Sequence, residues 1–163
     1  MNTEEMALAG DVASRVEIAE IKILQASVLC DLPPTGEIGV LQLSQESEAE
    51  TDVIGNCIYV KPRLLVEGRS QDRPSNSPVL RIEGKFLVVY NLNSHNALTD
   101  AHFKAFGRVN GLFNAWPYWR EFVQSMTVRM GLPPLTLSVF RLPDQPSHAQ
   151  PLPDPREVEA QTI

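Results

Sequence analysis

The sequence predicts an α+β domain in which four long strands come first and two helices follow. Two observations carry the prediction. From residue 15 to residue 92, apolar and polar residues largely alternate, in stretches separated by turn-forming Pro, Gly and Asn. From residue 99 to residue 130, apolar residues recur at three- and four-residue spacing, the period of a helix face. At 163 residues and 43% hydrophobic content, the chain reads as one core-forming domain with loose ends.

Residues 1–13 read as a flexible N-terminal arm or a short frayed helix, ahead of a domain spanning 14–141. The first strand, residues 15–29, contains a phase switch. Val16 and Ile18 share one face while Ile21 and Ile23 share the other. Either a β-bulge lies near Ala19-Glu20, or the strand is buried on different faces along its length. The stretch DLPPTG, residues 31–36, is a turn or crossover. The second strand, about 37–53, opens with Ile38, Val40, Leu41 and Leu43, with another phase switch. It then alternates strictly: Glu46, Glu48, Glu50 and Asp52 point one way, Ser47, Ala49, Thr51 and Val53 the other.

Gly55-Asn56 suits a tight turn into the third strand. There Ile58, Val60, Leu64 and Val66 face inward. Pro62 lies on that apolar face and calls for an edge position or a local break. After the polar loop 68–78, a fourth strand over 79–92 turns Leu80, Ile82, Phe86, Val88 and Tyr90 inward. Leu87 and Val89 make its second half apolar on both faces, which asks for cover on each side, such as another subunit.

Thr99 or Asp100 caps a first helix over about 100–112, with Phe103, Phe106, Val109 and Phe113 on its apolar side. Gly107 and Gly111 weaken this helix or permit close packing. Pro117 suits the first turn of a second helix, where its missing N–H is not needed. Trp119, Phe122, Val123, Met126 and Met130 form its apolar stripe. Gly131 sits where the helix end wants a left-handed residue, and Pro133-Pro134 forbid continuation. The proline-rich tail 142–163 is poor in apolar residues and reads as disordered.

A formal charge of −6 and a pI near 5.0 argue against broad nucleic-acid binding, which needs a basic face. No apolar run approaches the roughly twenty residues that cross a bilayer, so no membrane insertion is expected. The acidic start MNTEEMALAGD lacks the character of a signal peptide, and the chain reads as cytoplasmic. Cys30 and Cys57 form no C-x-x-C pair and read as reduced, buried thiols. His95, His102 and His148 lack metal-ligand spacing. Neither a nucleophile elbow nor a phosphate-cradling glycine loop occurs. The expectation is a non-enzyme without metal or cofactor.

The order Trp116, Pro117, Tyr118, Arg120, Glu121, then Gly131, Pro134, Leu135 and Leu137, resembles the C-terminal helix and tail of SecB, the bacterial export chaperone family. The order of strands and helices extends this likeness, as topology, over about residues 16–140. The resemblance implies a four-stranded antiparallel meander with a crossover after the first strand, followed by the C-terminal helices. It also implies a homotetramer, a dimer of dimers, acting as an ATP-independent holdase for unfolded polypeptides, in the family's case for protein export. In SecB, acidic residues including a stretch on the first strand dock the translocation ATPase SecA. The corresponding residues here are Glu20-Ile21-Lys22-Ile23-Leu24, with Leu24 in place of the second carboxylate and Lys22 adding a positive charge. Some SecB-like proteins protect an antitoxin of a toxin–antitoxin pair instead, and the altered stretch leans that way.

Two sets of residues follow as site candidates. Glu20, Glu46, Glu48, Glu50 and Asp52 form a partner-docking set for a basic surface, and would serve equally an adaptor binding one folded partner. The same stripe also reads as a solvated strand face whose like charges deter edge-to-edge pairing. Leu32, Ile38, Val40, Leu41, Leu43, Trp116 and Tyr118 form a client-binding set, because a holdase needs exposed apolar and aromatic surface. The competing reading of these seven is core or subunit interface.

Overall fold

The computed structural model describes residues 3–31, 40–70 and 77–140. Its elements are α1 (Thr3–Ala13), β1 (Val16–Cys30), β2 (Leu41–Ile54), β3 (Cys57–Ser70), β4 (Leu80–Leu92), α2 (Asp100–Phe106) and α3 (Leu112–Arg129), the last two joined by a π-helical segment, Gly107–Gly111. The strands form one antiparallel sheet in the order β1-β4-β3-β2. β2, β3 and β4 make a meander, and the chain crosses from one edge of the sheet to the other between β1 and β2. The helices cover a single face. The expected α+β order is present.

Strand β1 resolves its phase switch with bulges. Its pairing with β4 shifts register between Ile18 and Glu20 and again between Ile23 and Gln25, leaving Ala19 and Leu24 as the extra residues. Opposed residues of an antiparallel pair point to the same side. Val16, Ile18, Ile21, Ile23 and Val28 therefore all lie on the helix-covered face, opposite Leu92, Tyr90, Val88, Phe86 and Ile82. An unbulged strand would have turned Ile21 and Ile23 away.

β2 and β3 are joined by the two-residue turn Gly55-Asn56, with Gly55 at φ +58, the positive value a tight hairpin wants at its first loop position. Pro62 occupies a central strand after all. The β3–β4 register runs from Val60 opposite Val88 to Arg63 opposite Lys85, and the pairing lapses at Lys61 and Pro62, since proline has no N–H to give.

The two expected helices are one helical run from 100 to 129. Pro117 lies six residues into α3 rather than at a helix start, which corrects the expected break near residue 116. The irregularity sits upstream, where the backbone widens to a π-helical turn at Gly107–Gly111. This turn presses on the sheet. A Cβ on Gly107 would lie 1.9 Å from Thr51 Oγ1, and one on Gly111 would lie 2.4 Å from Val60 Cγ1. Glycine is thus required there by close approach. At the other end, Gly131 at φ +75 closes α3 in a Schellman arrangement, with Leu132 N–H donating to Thr127 O and Gly131 N–H to Val128 O.

Where the sequence predicts an arm or a short frayed helix, Thr3–Ala13 form α1, which packs on α2 and the π-helical turn through Ala9, Ala105 and Val109. Glu5 pairs with Arg108 at 2.7 Å, and Val12 enters the main core. That core lies between the helix-covered face of β3 and β4 and the inner side of the helical run. Trp119, 1% exposed, meets the edge of Phe86 at 6.4 Å, and Phe106 meets Tyr90 at 4.8 Å. Burial pushes the Tyr90 hydroxyl up to about 12, although the hydrogen bond from Asn114 works against it. Cys30, expected to be buried, is exposed on the edge strand β1; Cys57 is half-buried, and both thiols are free.

Candidate functional site

Pairing register assigns the two faces of the sheet. Glu48, Glu50 and Asp52 of β2, Lys61, Arg63 and Glu67 of β3, and Arg81, Glu83 and Lys85 of β4 all project from the helix-free face. The acidic stripe seen in β2 is therefore one row of a two-sign lattice. Asp52 accepts from Lys61 at 2.7 Å, Glu48 from Arg63 at 2.9 Å, and Glu50 lies 4.0 Å from Lys85. Arg63 also reaches Glu83, which Arg81 holds at 2.8 Å, and Arg81 bonds Glu67 at 2.7 Å. Glu46 makes no ion pair with a described residue, and Glu20 pairs with Lys22 on its own strand at 2.9 Å. Hydrogen bonds from Arg81 and then Arg63 hold the Glu83 carboxyl below the usual carboxylate range. The bond to Asp52 raises the Lys61 ammonium above its ordinary value.

The client-binding candidates divide between two elements. Leu32 and Ile38 lie outside the described residues. Val40 is 77% exposed just ahead of β2, Leu43 is 43% exposed and Leu41 is half-buried. Leu41 and Leu43 flank Gly68 of β3, 3.4 Å and 3.3 Å from where its Cβ would stand. β2 is an edge strand, so this apolar stretch lies beside backbone groups that no neighbouring strand among the described residues pairs.

Trp116 and Tyr118, two residues apart on α3, point in different directions. Trp116 is 9% exposed and Tyr118 is 51% exposed. Trp116 is buried because residues 132–140 fold back along α3 as an extended strap. The strap is tied to the helix by side chains bonding its main chain. Trp116 Nε1 donates to Ser138 O at 2.8 Å, Arg120 Nε donates to Leu137 O at 2.8 Å, and Leu135 N–H donates to Thr127 Oγ1 at 3.0 Å. Leu137 is buried, and the Phe140 ring lies 5.3 Å from that of Trp116.

Between strap and helix runs a groove of about 150 Å³ lined by Phe113, Trp116, Pro117, Arg120, Val139 and Phe140. Phe113 and Val139 stay half exposed on its walls. Sequence reasoning reached Trp116 but missed the groove. Helix periodicity places Phe113 on an inward face, and no local pattern tells Val139 and Phe140 to return to Trp116. The only available signal was that a Leu-x-Leu run follows a helix stop, which demands an apolar surface somewhere nearby.

Other chemistry is sparse. Among the described residues no three His, Cys, Asp or Glu side chains gather as a metal site, and no helix is long and apolar enough to cross a membrane. His102 sits at the start of α2, where its Nδ1 accepts from Thr99 N–H at 3.1 Å, a capping role.

Two curated proteins are similar to this chain in sequence, and a solved structure is similar in fold. The SecB-like chaperone Rv1957 of Mycobacterium tuberculosis strain H37Rv is 31% identical over 147 residues, covering 81% of this chain and 81% of its own. The SecB-like chaperone MT2006 of strain CDC 1551 matches to the same extent. Among solved structures, that of the Mycobacterium tuberculosis Rv1957 chaperone in complex with a ChAD peptide from the Rv1956 HigA1 antitoxin superposes with a TM-score of 0.73. The match spans 86% of this chain and 100% of that one at 21% identity, a likeness of fold. No protein-family model matches the sequence.

Proposed function

The chain belongs to the SecB-like chaperone family, and from that membership we propose that it holds unfolded polypeptide segments without ATP, cofactor or covalent chemistry. The observation that carries this reading is the open groove at the start of α3, walled by Phe113, Trp116 and Val139, with Tyr118 exposed beyond it. Val40 and Leu43 contribute further exposed apolar side chains beside the free edge of β2, where a client backbone would add as a strand. Ordering a client costs entropy, so affinity gathers from many weak contacts over a long surface.

The working form is a cytoplasmic homo-oligomer, a tetramer. In the single chain Ile18, Ile23 and Val28 remain between 40% and 50% exposed on one face of edge strand β1, an apolar strip that a second copy covers. Among possible clients, a dedicated antitoxin is favoured over export cargo. The relative bound to an antitoxin peptide supports this, as does the Glu20–Leu24 stretch with its missing second carboxylate. The helix-free face, whose carboxylates are mostly matched by cations, gives little support to docking of SecA.

Light scattering tests the reading. A chemically unfolded protein diluted into buffer without ATP should stay soluble at about one oligomer per client. Aggregation at the rate of the control, with a folded sample of this chain, would sink the general holdase. E48K/E50K should suppress aggregation as well as the parent chain, whereas an adaptor using that face would lose its partner. Titration with an antitoxin-derived apolar peptide then separates a dedicated client from a general one.

A further inference from the structure

We propose that residues 132–140 are a built-in occupant of the client groove, and that an extended apolar segment binds by displacing the strap's distal part, residues 138–140. The proposal rests on the holdase reading and adds how the site is guarded. The strap is bound as a foreign peptide would be: it is extended, and its main-chain carbonyls at Leu137 and Ser138 are held by the Arg120 Nε and Trp116 Nε1 donors of the helix. Those donors recognise any carbonyl at that spacing, whatever side chains accompany it. Specificity resides in one aromatic contact, Phe140 against Trp116.

Anchoring is unequal along the strap. Leu135 and Leu137 pack against the core, and the Thr127 hydroxyl fixes Leu135 N–H. Past Leu137, the strap holds on, among the described residues, by one main-chain bond and one ring contact, with Val139 56% exposed. The distal part therefore opens without unseating Leu137. Opening presents the Trp116 ring, the walls Phe113 and Pro117, and a free Trp116 N–H donor. An incoming segment matches this chemistry when it is extended, offers a carbonyl to Trp116, and carries an aromatic or large aliphatic residue two positions later, as Ser138 and Phe140 do.

The test uses the full chain and its Phe140→Ala variant, with a dye-labelled synthetic peptide of sequence LPPLTLSVF, residues 132–140. Phe140 is only partly buried, so the variant should fold, as thermal unfolding will verify. By fluorescence anisotropy the peptide should bind the variant about fivefold more tightly than the parent, the equivalent of one aromatic contact no longer contested. Trp116→Phe in the same background keeps the ring surface, removes the N–H and should reverse most of the gain. Equal affinity of the peptide for the parent and a folded F140A chain overturns the proposal. Unfolded client should compete the peptide off the variant. Tight peptide binding that client cannot displace supports the displaceable strap and overturns the holdase reading instead.

Discussion

Gly111→Ala should destabilise this protein, although alanine is the better helix former. The π-helical turn brings Gly111 so close to β3 that an added Cβ would stand 2.4 Å from Val60 Cγ1 and 3.2 Å from Val60 Cβ. Carbon atoms in contact rest about 3.5–4.0 Å apart, so the helix or the strand must retreat by about 1 Å. Val60 is fully buried in a central strand and has no room to yield. Overpacking of this kind costs about 1–3 kcal/mol, and relief of glycine's helix penalty returns about 1 kcal/mol. The net loss is up to about 2 kcal/mol, a fall in Tm of up to about 8 °C for a domain of this size. Urea unfolding at fixed protein concentration measures it, since oligomer stability varies with concentration. The cycle with Val60→Ala sharpens the test. V60A leaves a cavity in the parent but should cost much less in the G111A chain, giving a coupling of about 1 kcal/mol or more. A G111A chain at least as stable as the parent, or strict additivity with V60A, would refute the close-approach argument.

Two further changes probe the same architecture. Thr51 Oγ1 is buried against Gly107 without a hydrogen-bond partner among the described residues, so Thr51→Val should raise stability by about 1 kcal/mol in the same urea assay; a loss would mean that the hydroxyl has a partner. Glu83 has a depressed folded-state pKa, so its stabilising contribution is present above the ordinary carboxylate pKa and disappears as pH falls through the folded value. Glu83→Gln should therefore be less stable than the parent at neutral pH, with the gap closing in acid. A gap that stays constant or widens as pH falls from neutral into the acid range would contradict the assignment.

Local pattern was a good guide wherever one strand or one helix end decides its own geometry. The clash of phase between Ile18 and Ile21 gave away the bulge at Ala19, because alternation has only two faces and both isoleucines needed the same one. Gly131 announced the end of α3 for a similarly local reason. Pro117 misled because proline is commonest in a first turn; whether a longer helix tolerates it depends on what lies upstream, here a π-helical turn pressed on the sheet. The acidic stripe was legible as a face, while its neutralisation by Lys61, Arg63 and Lys85 required the register of two other strands. The groove at Trp116 was least legible. One wall of it, Val139 and Phe140, arrives some twenty positions later, and the return of that chain is encoded only by the demand that Leu135 and Leu137 be buried.

The lattice on the helix-free face also fixes how fast anything could find that face. Apart from Glu46, its carboxylates lie no more than 4.0 Å from cations, distances short against the Debye length of about 8 Å in physiological salt. Seen from beyond that length, alternating rows largely cancel, and a basic protein diffusing nearby gains little orientation from them. Encounter there would run at the unsteered rate of about 10⁵–10⁶ M⁻¹ s⁻¹ and change little with ionic strength. A surface of this kind discriminates only at contact, by matching or mismatching the spacing of its charged rows.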